Sequence, residues 1–236
     1  MYYITKVLLA LFIIGNLIGC SSTNIQLPRQ SFVKVKAEWK VQHCKEDIEW
    51  EKGEGCTSVE YHTAASGAIV AQDLIQTYIL TAGHVCDTEA LTDLIHNAPP
   101  TKLEYRVQDA NGIYHTARVY KLDTENDICI LQTTKLTFPI IQIRTSGPKY
   151  GEKLYNLAAP AGFANKNYVP VVEGRYSGFT ADRMVFTIPA VGGSSGSPIF
   201  DKDGEMVGII ISIHIRAPFL SFSPHYHAIK KIINEI

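Results

Sequence analysis

The sequence predicts an all-β fold, a barrel or a sandwich, closed by one short C-terminal helix. Three observations predict it. From about residue 64, short runs rich in β-branched and aromatic residues recur between turn signals, at the roughly 8–12-residue spacing of such folds. Alternating strand and helix units, which a parallel sheet needs, are absent. The runs fall into two groups of about six, divided near residues 144–150.

In chain order, the first expected strands are residues 66–71 and 77–80. Residues 102–109 and 114–122 flank Asn111-Gly112, a strong hairpin signal because both residues tolerate positive φ. Residues 128–132 follow. After Gly147-Pro148 the pattern restarts with 153–158, 168–176, 183–188, 198–200, 205–212 and 218–223, and Asp203-Gly204 marks another tight turn. The two groups span about residues 60–146 and 150–224. In residues 226–236, Ile229, Ile232, Ile233 and Ile236 recur at helical spacing, which predicts a short amphipathic helix.

The first nineteen residues are a different material. Lys6 precedes an almost wholly apolar stretch, residues 7–19. A membrane span needs about 20 apolar residues, so this stretch suits a signal peptide better. Leu17-Ile18-Gly19-Cys20 resembles a bacterial lipobox, in which cleavage leaves a lipidated Cys20 at the new terminus. Ser21 after that cysteine, rather than an aspartate, favours the outer membrane in bacteria that have two membranes. Residues 20–31 are polar, contain Pro28 and read as a tether to a domain of residues 32–236.

The formal charge is −1 and no stretch carries a run of Lys or Arg, so a nucleic-acid partner is not expected. With Cys20 assigned to lipid, Cys44, Cys56, Cys86 and Cys129 remain, an even number for an oxidising compartment. Cys44–Cys56 is the favoured pair, closing a short charged loop. Cys86 and Cys129 stand two residues after His84 and Asp127; they are either bonded or two small buried thiols. There is no C-x-x-C, and His225-x-His227 alone is a poor metal signal, so neither metal nor cofactor is expected.

Three segments carry chemistry. In Ile79-Leu80-Thr81-Ala82-Gly83-His84-Val85 a strand ends and small residues lift an imidazole out of the core. In Asn126-Asp127-Ile128-Cys129-Ile130-Leu131 a carboxylate heads an apolar strand. In Gly192-Gly193-Ser194-Ser195-Gly196-Ser197-Pro198 a serine lies in a glycine-rich turn before a strand. A serine hydroxyl is a poor nucleophile at neutral pH unless an imidazole takes its proton. A carboxylate on the other ring nitrogen fixes the tautomer. Backbone N–H groups in a glycine-rich turn can face a developing oxyanion without side chains in the way. Each segment alone has a plainer reading as a polar loop or turn, and Asp123 is a nearby decoy of that kind.

Taken together, in the order His, Asp, Ser, the three segments resemble the chymotrypsin-like (trypsin-fold) serine peptidases. T-A-G-H stands where that family has T-A-A-H or T-N-x-H, D-I-C-I-L is similar to its D-I-A-L-L type strand, and G-S-S-G-S-P to G-[DN]-S-G-[GS]-P. The resemblance covers roughly residues 64–236. It implies two six-stranded antiparallel β-barrels with the site between them. It also implies His84 as general base, Asp127 as its orienter and Ser195 as nucleophile, with the backbone N–H groups of Gly193 and Ser195 as oxyanion hole.

The chain departs from the digestive members of that family. They keep an Asp before the nucleophile to hold a freed N-terminus; here Ser194 stands there, and no cleavage site opens the domain. A hydroxyl cannot hold a buried ammonium as a carboxylate does, so no N-terminal insertion is expected. In this the chain is more similar to bacterial HtrA-type and glutamyl-endopeptidase-like branches, without an appended PDZ domain.

Pro189 occupies the position that is acidic in trypsin-like members. With Ala190 and an apolar wall around Ile211, Ser212 and Ile213, it predicts small or apolar P1 residues, since a buried unpaired charge is costly. His214 keeps a glutamate preference open, and either Ile211 or Ser212 occupies the place of the serine that supports the carboxylate in relatives. The expected partner is a protein or peptide substrate. The alternatives are a non-catalytic peptide-binding relative and an esterase using the same three groups.

Overall fold

The computed structural model describes residues 25–44, 56–89 and 102–236. The apolar leader, Cys20 and the loop between Cys44 and Cys56 lie outside the described residues. No described helix is long and apolar enough to cross a membrane.

The first half is a closed six-stranded antiparallel barrel of β1 (Phe32–Cys44), β2 (Cys56–Gln72), β3 (Gln76–Ala82), β4 (Lys102–Gln108), β5 (Tyr114–Asp123) and β6 (Ile128–Thr134), in the order β1-β2-β3-β6-β5-β4. Register shifts in β2 at Ile69/Ala71 and in β5 at Val119/Lys121 are bulges, which tighten the curl that closure requires. β1 is the strand the expected limits left out. Its sequence nevertheless alternates cleanly: Val33, Val35, Ala37, Trp39 and Val41 are buried, while Lys34, Lys36, Glu38 and Lys40 point outward. Pairing β1 with both β2 and β4 is what closes the barrel, so this lobe starts at Phe32 and not near residue 60.

The second half is a seven-stranded antiparallel sheet, in place of the six-stranded closed barrel expected. Its strands are β7 (Lys153–Leu157), β8 (Val171–Phe179), β9 (Arg183–Phe186), β10 (Pro198–Phe200), β11 (Met206–Ile209), β12 (Ser212–His214) and β13 (Ala217–Pro224), in the order β11-β10-β7-β8-β9-β13-β12. The run expected as one strand, residues 205–212, breaks at Ile210-Ile211 into β11 and β12, which lie on opposite edges. Only three virtual bonds of about 3.8 Å join Ile209 to Ser212. The two edges are therefore close, and the sheet curls towards a barrel without a ladder across the seam.

Helix α1 (Tyr226–Ile233) buries Ile229 and Ile232, and Ile233 and Ile236 pack partly against the core; the helix ends three residues before the chain does. Residues 25–31, expected to be part of a tether, instead lie on the body. Ser31 is fully buried, Leu27 packs against the core and the Arg29 guanidinium donates to the Lys166 carbonyl at 2.9 Å. The turn between lobes is held by Arg144, which bonds Glu152 (2.6 Å), Asp201 (3.2 Å) and the Gly147 carbonyl (2.7 Å).

Candidate active site

The β3–β6 ladder decides where His84 and Asp127 meet. Ala82 pairs with Ile128 and Thr81 with Cys129, so the end of β3 and the start of β6 lie side by side. His84 follows in a single 3-10 turn, Gly83–Val85, and Asp127 directly precedes β6 with φ +55, a left-handed conformation uncommon outside glycine. Gly83 permits the approach: a Cβ there would come within 2.7 Å of the Asp127 carbonyl carbon. Two residues further on, Cys86 and Cys129 are joined by a buried disulfide, the bonded one of the two expectations. Cys44 stands directly opposite Cys56 in the β1–β2 register, as the favoured pair requires, but the side chains of both lie outside those described.

The His84 backbone N–H donates to Asp127 Oδ1 at 2.6 Å, and ring Nδ1 lies 3.1 and 3.0 Å from the two carboxylate oxygens. An ionised carboxylate only accepts, so Nδ1 carries the proton of the neutral ring and Nε2 keeps its lone pair. Ser195 Oγ lies 2.9 Å from Nε2 and donates to it. Burial pushes the Asp127 carboxyl up. The hydrogen bond and charge of the His84 ring, its backbone N–H and the nearby Arg183 together outweigh that, and the carboxyl sits below its ordinary value. Arg183, on β9, also donates to the carbonyls of Asn126 (2.8 Å) and Glu125 (3.4 Å), tying the Asp127 turn to the second lobe.

The serine turn is pinned carbonyl by carbonyl. The Ala161 N–H donates to Gly192 O (2.6 Å), the Ser66 hydroxyl to Gly193 O (2.8 Å) and the Ser197 N–H to Ser194 O (2.9 Å). In a trans peptide the N–H points opposite its carbonyl, so the N–H groups of Gly193 and Ser195 face away from these anchors. Among the described residues neither donates within the chain. Gly193 has φ +93, and a Cβ on it would meet Ala159 O at 2.4 Å. The Ser194 hydroxyl accepts locally from the Val191 N–H at 3.4 Å. The turn is thus held by its own chain, in keeping with the absence of an acidic anchor for a freed N-terminus.

The expected substrate-pocket residues divide between two places. Pro189 and Ala190 line an apolar hollow beside Ser194 with Pro160, Val191 and Phe219. Ile213 and His214 line a separate, shallow surface with Ile215 and Arg216. Ile211 is buried and its N–H donates to Phe222 O, whereas Ser212 is exposed. The Asp127 carboxylate takes its hydrogen bonds from His84, with none from Ser212 among the described residues. Sequence reasoning missed Ser66, Ala161 and Arg183. Each reaches the site from a different strand or loop, and only the small-residue run around Ser66 hinted at close packing.

The pattern described as a trypsin-like peptidase domain matches residues 65–209. A probable periplasmic serine endoprotease, DegP-like, of Hahella chejuensis is 27% identical over 176 residues, which is 67% of this chain and 31% of that protein. The chain thus spans under a third of the length of that curated relative. Among solved structures, the serine endoprotease from Yersinia pestis aligns with TM-score 0.64 and 19% identity over 92% of this chain and 67% of its own. The HtrA-type protease AlgW with a decapeptide aligns with TM-score 0.68 and 16% identity over 88% and 63%. These two likenesses speak to the fold. The matched stretch runs from the strand that carries Ser66 to the end of β11 and takes in His84, Asp127 and Ser195: the chain belongs to the trypsin-like peptidase domain family.

Proposed function

We propose that the chain is a serine endopeptidase that cleaves peptide bonds through an acyl-enzyme on Ser195. The observation that carries this reading is the unbroken run of contacts from Asp127 through His84 to Ser195, each within about 3 Å. His84 Nε2 takes the hydroxyl proton as Oγ attacks the carbonyl carbon, and the ring then returns that proton to the leaving amine. Asp127 holds the ring and stabilises the imidazolium. The N–H groups of Gly193 and Ser195 receive the oxyanion. Water repeats the sequence to release the acid.

The hollow beside Ser194 supports a preference for small or apolar P1 side chains. Among the described residues no charged side chain lines it, so a buried Lys or Arg would lack a partner. His214 lies on the other surface and offers that hollow no imidazole for a glutamate. The protein is processed at Gly19-Cys20 and held by lipid on Cys20, in the outer membrane, with its catalytic domain in the periplasm or outside the cell. Periplasmic relatives and the lipobox-like sequence support that placement.

A fluorophosphonate probe tests the chemistry. Wild type should be labelled and Ser195→Ala should not; equal labelling of both would remove the nucleophile assignment. Cleavage of a peptide library then reads P1, and a dominant Arg or Lys signal would refute the apolar pocket. Ester turnover without peptide cleavage would favour an esterase.

A further inference from the structure

Ser66 lies on β2 of the first lobe, 127 residues before Gly193 in the sequence, and is fully buried. Three of its four hydrogen bonds go to the serine turn or to the segment behind it. Its hydroxyl donates to Gly193 O at 2.8 Å and accepts from the Ala159 N–H at 2.9 Å. Its backbone N–H donates to Ser195 O at 2.8 Å, and its carbonyl accepts the Thr81 hydroxyl at 2.8 Å. One side chain therefore touches the serine turn and also the segment that supports it from behind. That segment places the Ala161 N–H on Gly192 O, with Ala161 itself at φ +50.

The peptide between Gly192 and Gly193 supplies one of the two free N–H groups. Glycines flank it on both sides, and glycine offers little resistance to rotation. The direction of that N–H has to be set by what grips the neighbouring carbonyls. Gly192 O is gripped by Ala161, Gly193 O by Ser66, and Ser66 also holds Ala159, two residues before Ala161. Without the hydroxyl, a buried acceptor and a buried donor lose their partners together. Gly193 O lies in the peptide that carries the Ser194 N–H, which donates to Val191 O; released from Ser66, that peptide can tilt, and the glycine it shares with the preceding peptide passes the tilt on to the Gly193 N–H.

We propose that Ser66 is a positioning residue for the oxyanion donors: through Gly193 O and Ala159 N it keeps the Gly193 N–H turned towards the substrate. This rests on the reading of Ser195 as nucleophile. It assigns Ser66 a role in the transition state rather than in substrate binding. A donor that only meets the developing oxyanion affects kcat, whereas contacts shared by ground and transition states affect KM.

The test compares wild type, Ser195→Ala, Ser66→Ala and Ser66→Thr, with folding checked by melting temperature. For a peptide substrate with an apolar P1 residue, Ser66→Ala should lower kcat on the order of 10–100-fold. That is less than the roughly 10²–10³-fold of a lost oxyanion donor. KM should stay within about twofold. A peptide aldehyde, whose adduct carries the oxyanion, should weaken by the same factor as kcat, and a product peptide should bind unchanged. Ser66→Thr, which keeps the hydroxyl, should restore most of kcat.

If Ser66→Ala does not fold, Ser66→Cys carries the same comparison, since a thiol donates poorly. A folded variant that melts earlier but keeps kcat and aldehyde affinity would overturn the positioning role. A wild type that neither labels with fluorophosphonate nor cleaves peptide would instead remove the peptidase reading beneath it.

Discussion

Gly193 shows how little room the site leaves at a single residue. A methyl group there would collide with the Ala159 carbonyl, and positive φ adds backbone strain. Gly193→Ala should lower kcat by about 10²–10³-fold while the rest of the chain stays folded, as measured by turnover beside circular dichroism. Asp127 adds a pH dependence. Its carboxyl is held below the ordinary value of 3.8, so its contribution to stability is complete above that value and is lost as pH falls through the lower folded value. Urea melts of wild type and Asp127→Asn should differ most near neutral pH and converge as the solution is taken below about pH 3.8. At this scale the sequence was informative. Histidine, aspartate and serine each sat beside small residues or a strand start, and those neighbours leave room for a reactive group. Ser66 and Arg183 were not legible, because a hydroxyl or guanidinium announces nothing until its distant acceptors are known.

Among the elements, β1 and the β11–β12 break teach opposite lessons. β1 alternates as plainly as any strand in the chain, and its five buried side chains could have been read from Val33 to Val41. The expected strands began only near residue 64, so the closing strand was left out. Trp39, almost wholly buried, tests its place. Trp39→Ala should cost about 3–5 kcal/mol of stability by denaturant melting if β1 is part of the barrel core, and far less if it were a loose extension. The break at Ile210-Ile211 had no such signal. Met206 to Ile211 are continuously buried, and an apolar run does not say where a strand changes edge. The gap is visible only in three dimensions. There the Ile210 N–H donates to Ser197 and the Ile211 N–H to Phe222, one bond to each side of the seam.

At the scale of the whole molecule, the site is a junction between two lobes. His84 and Asp127 belong to the barrel, and Ser195 to the turn before β10. Ser66 reaches across to the serine turn while Arg183 reaches back to the Asp127 turn. Two-group organisation was legible from strand spacing, whereas the contacts that fix the lobes together join residues more than fifty positions apart and could not be. Beyond the domain, Cys20→Ser should move the protein from the membrane fraction to the soluble fraction, read by fractionation and immunoblot. The Cys86–Cys129 bond makes the alignment of the His84 and Asp127 segments depend on redox conditions. In a reducing medium, the segments bearing imidazole and carboxylate keep their alignment by ladder pairing, by the His84–Asp127 hydrogen bonds and by the Arg183 tie, without the covalent link. Enzyme refolded under dithiothreitol should hydrolyse peptide more slowly than enzyme refolded in air, and the paired change Cys86→Ala, Cys129→Ala should slow the enzyme refolded in air as well.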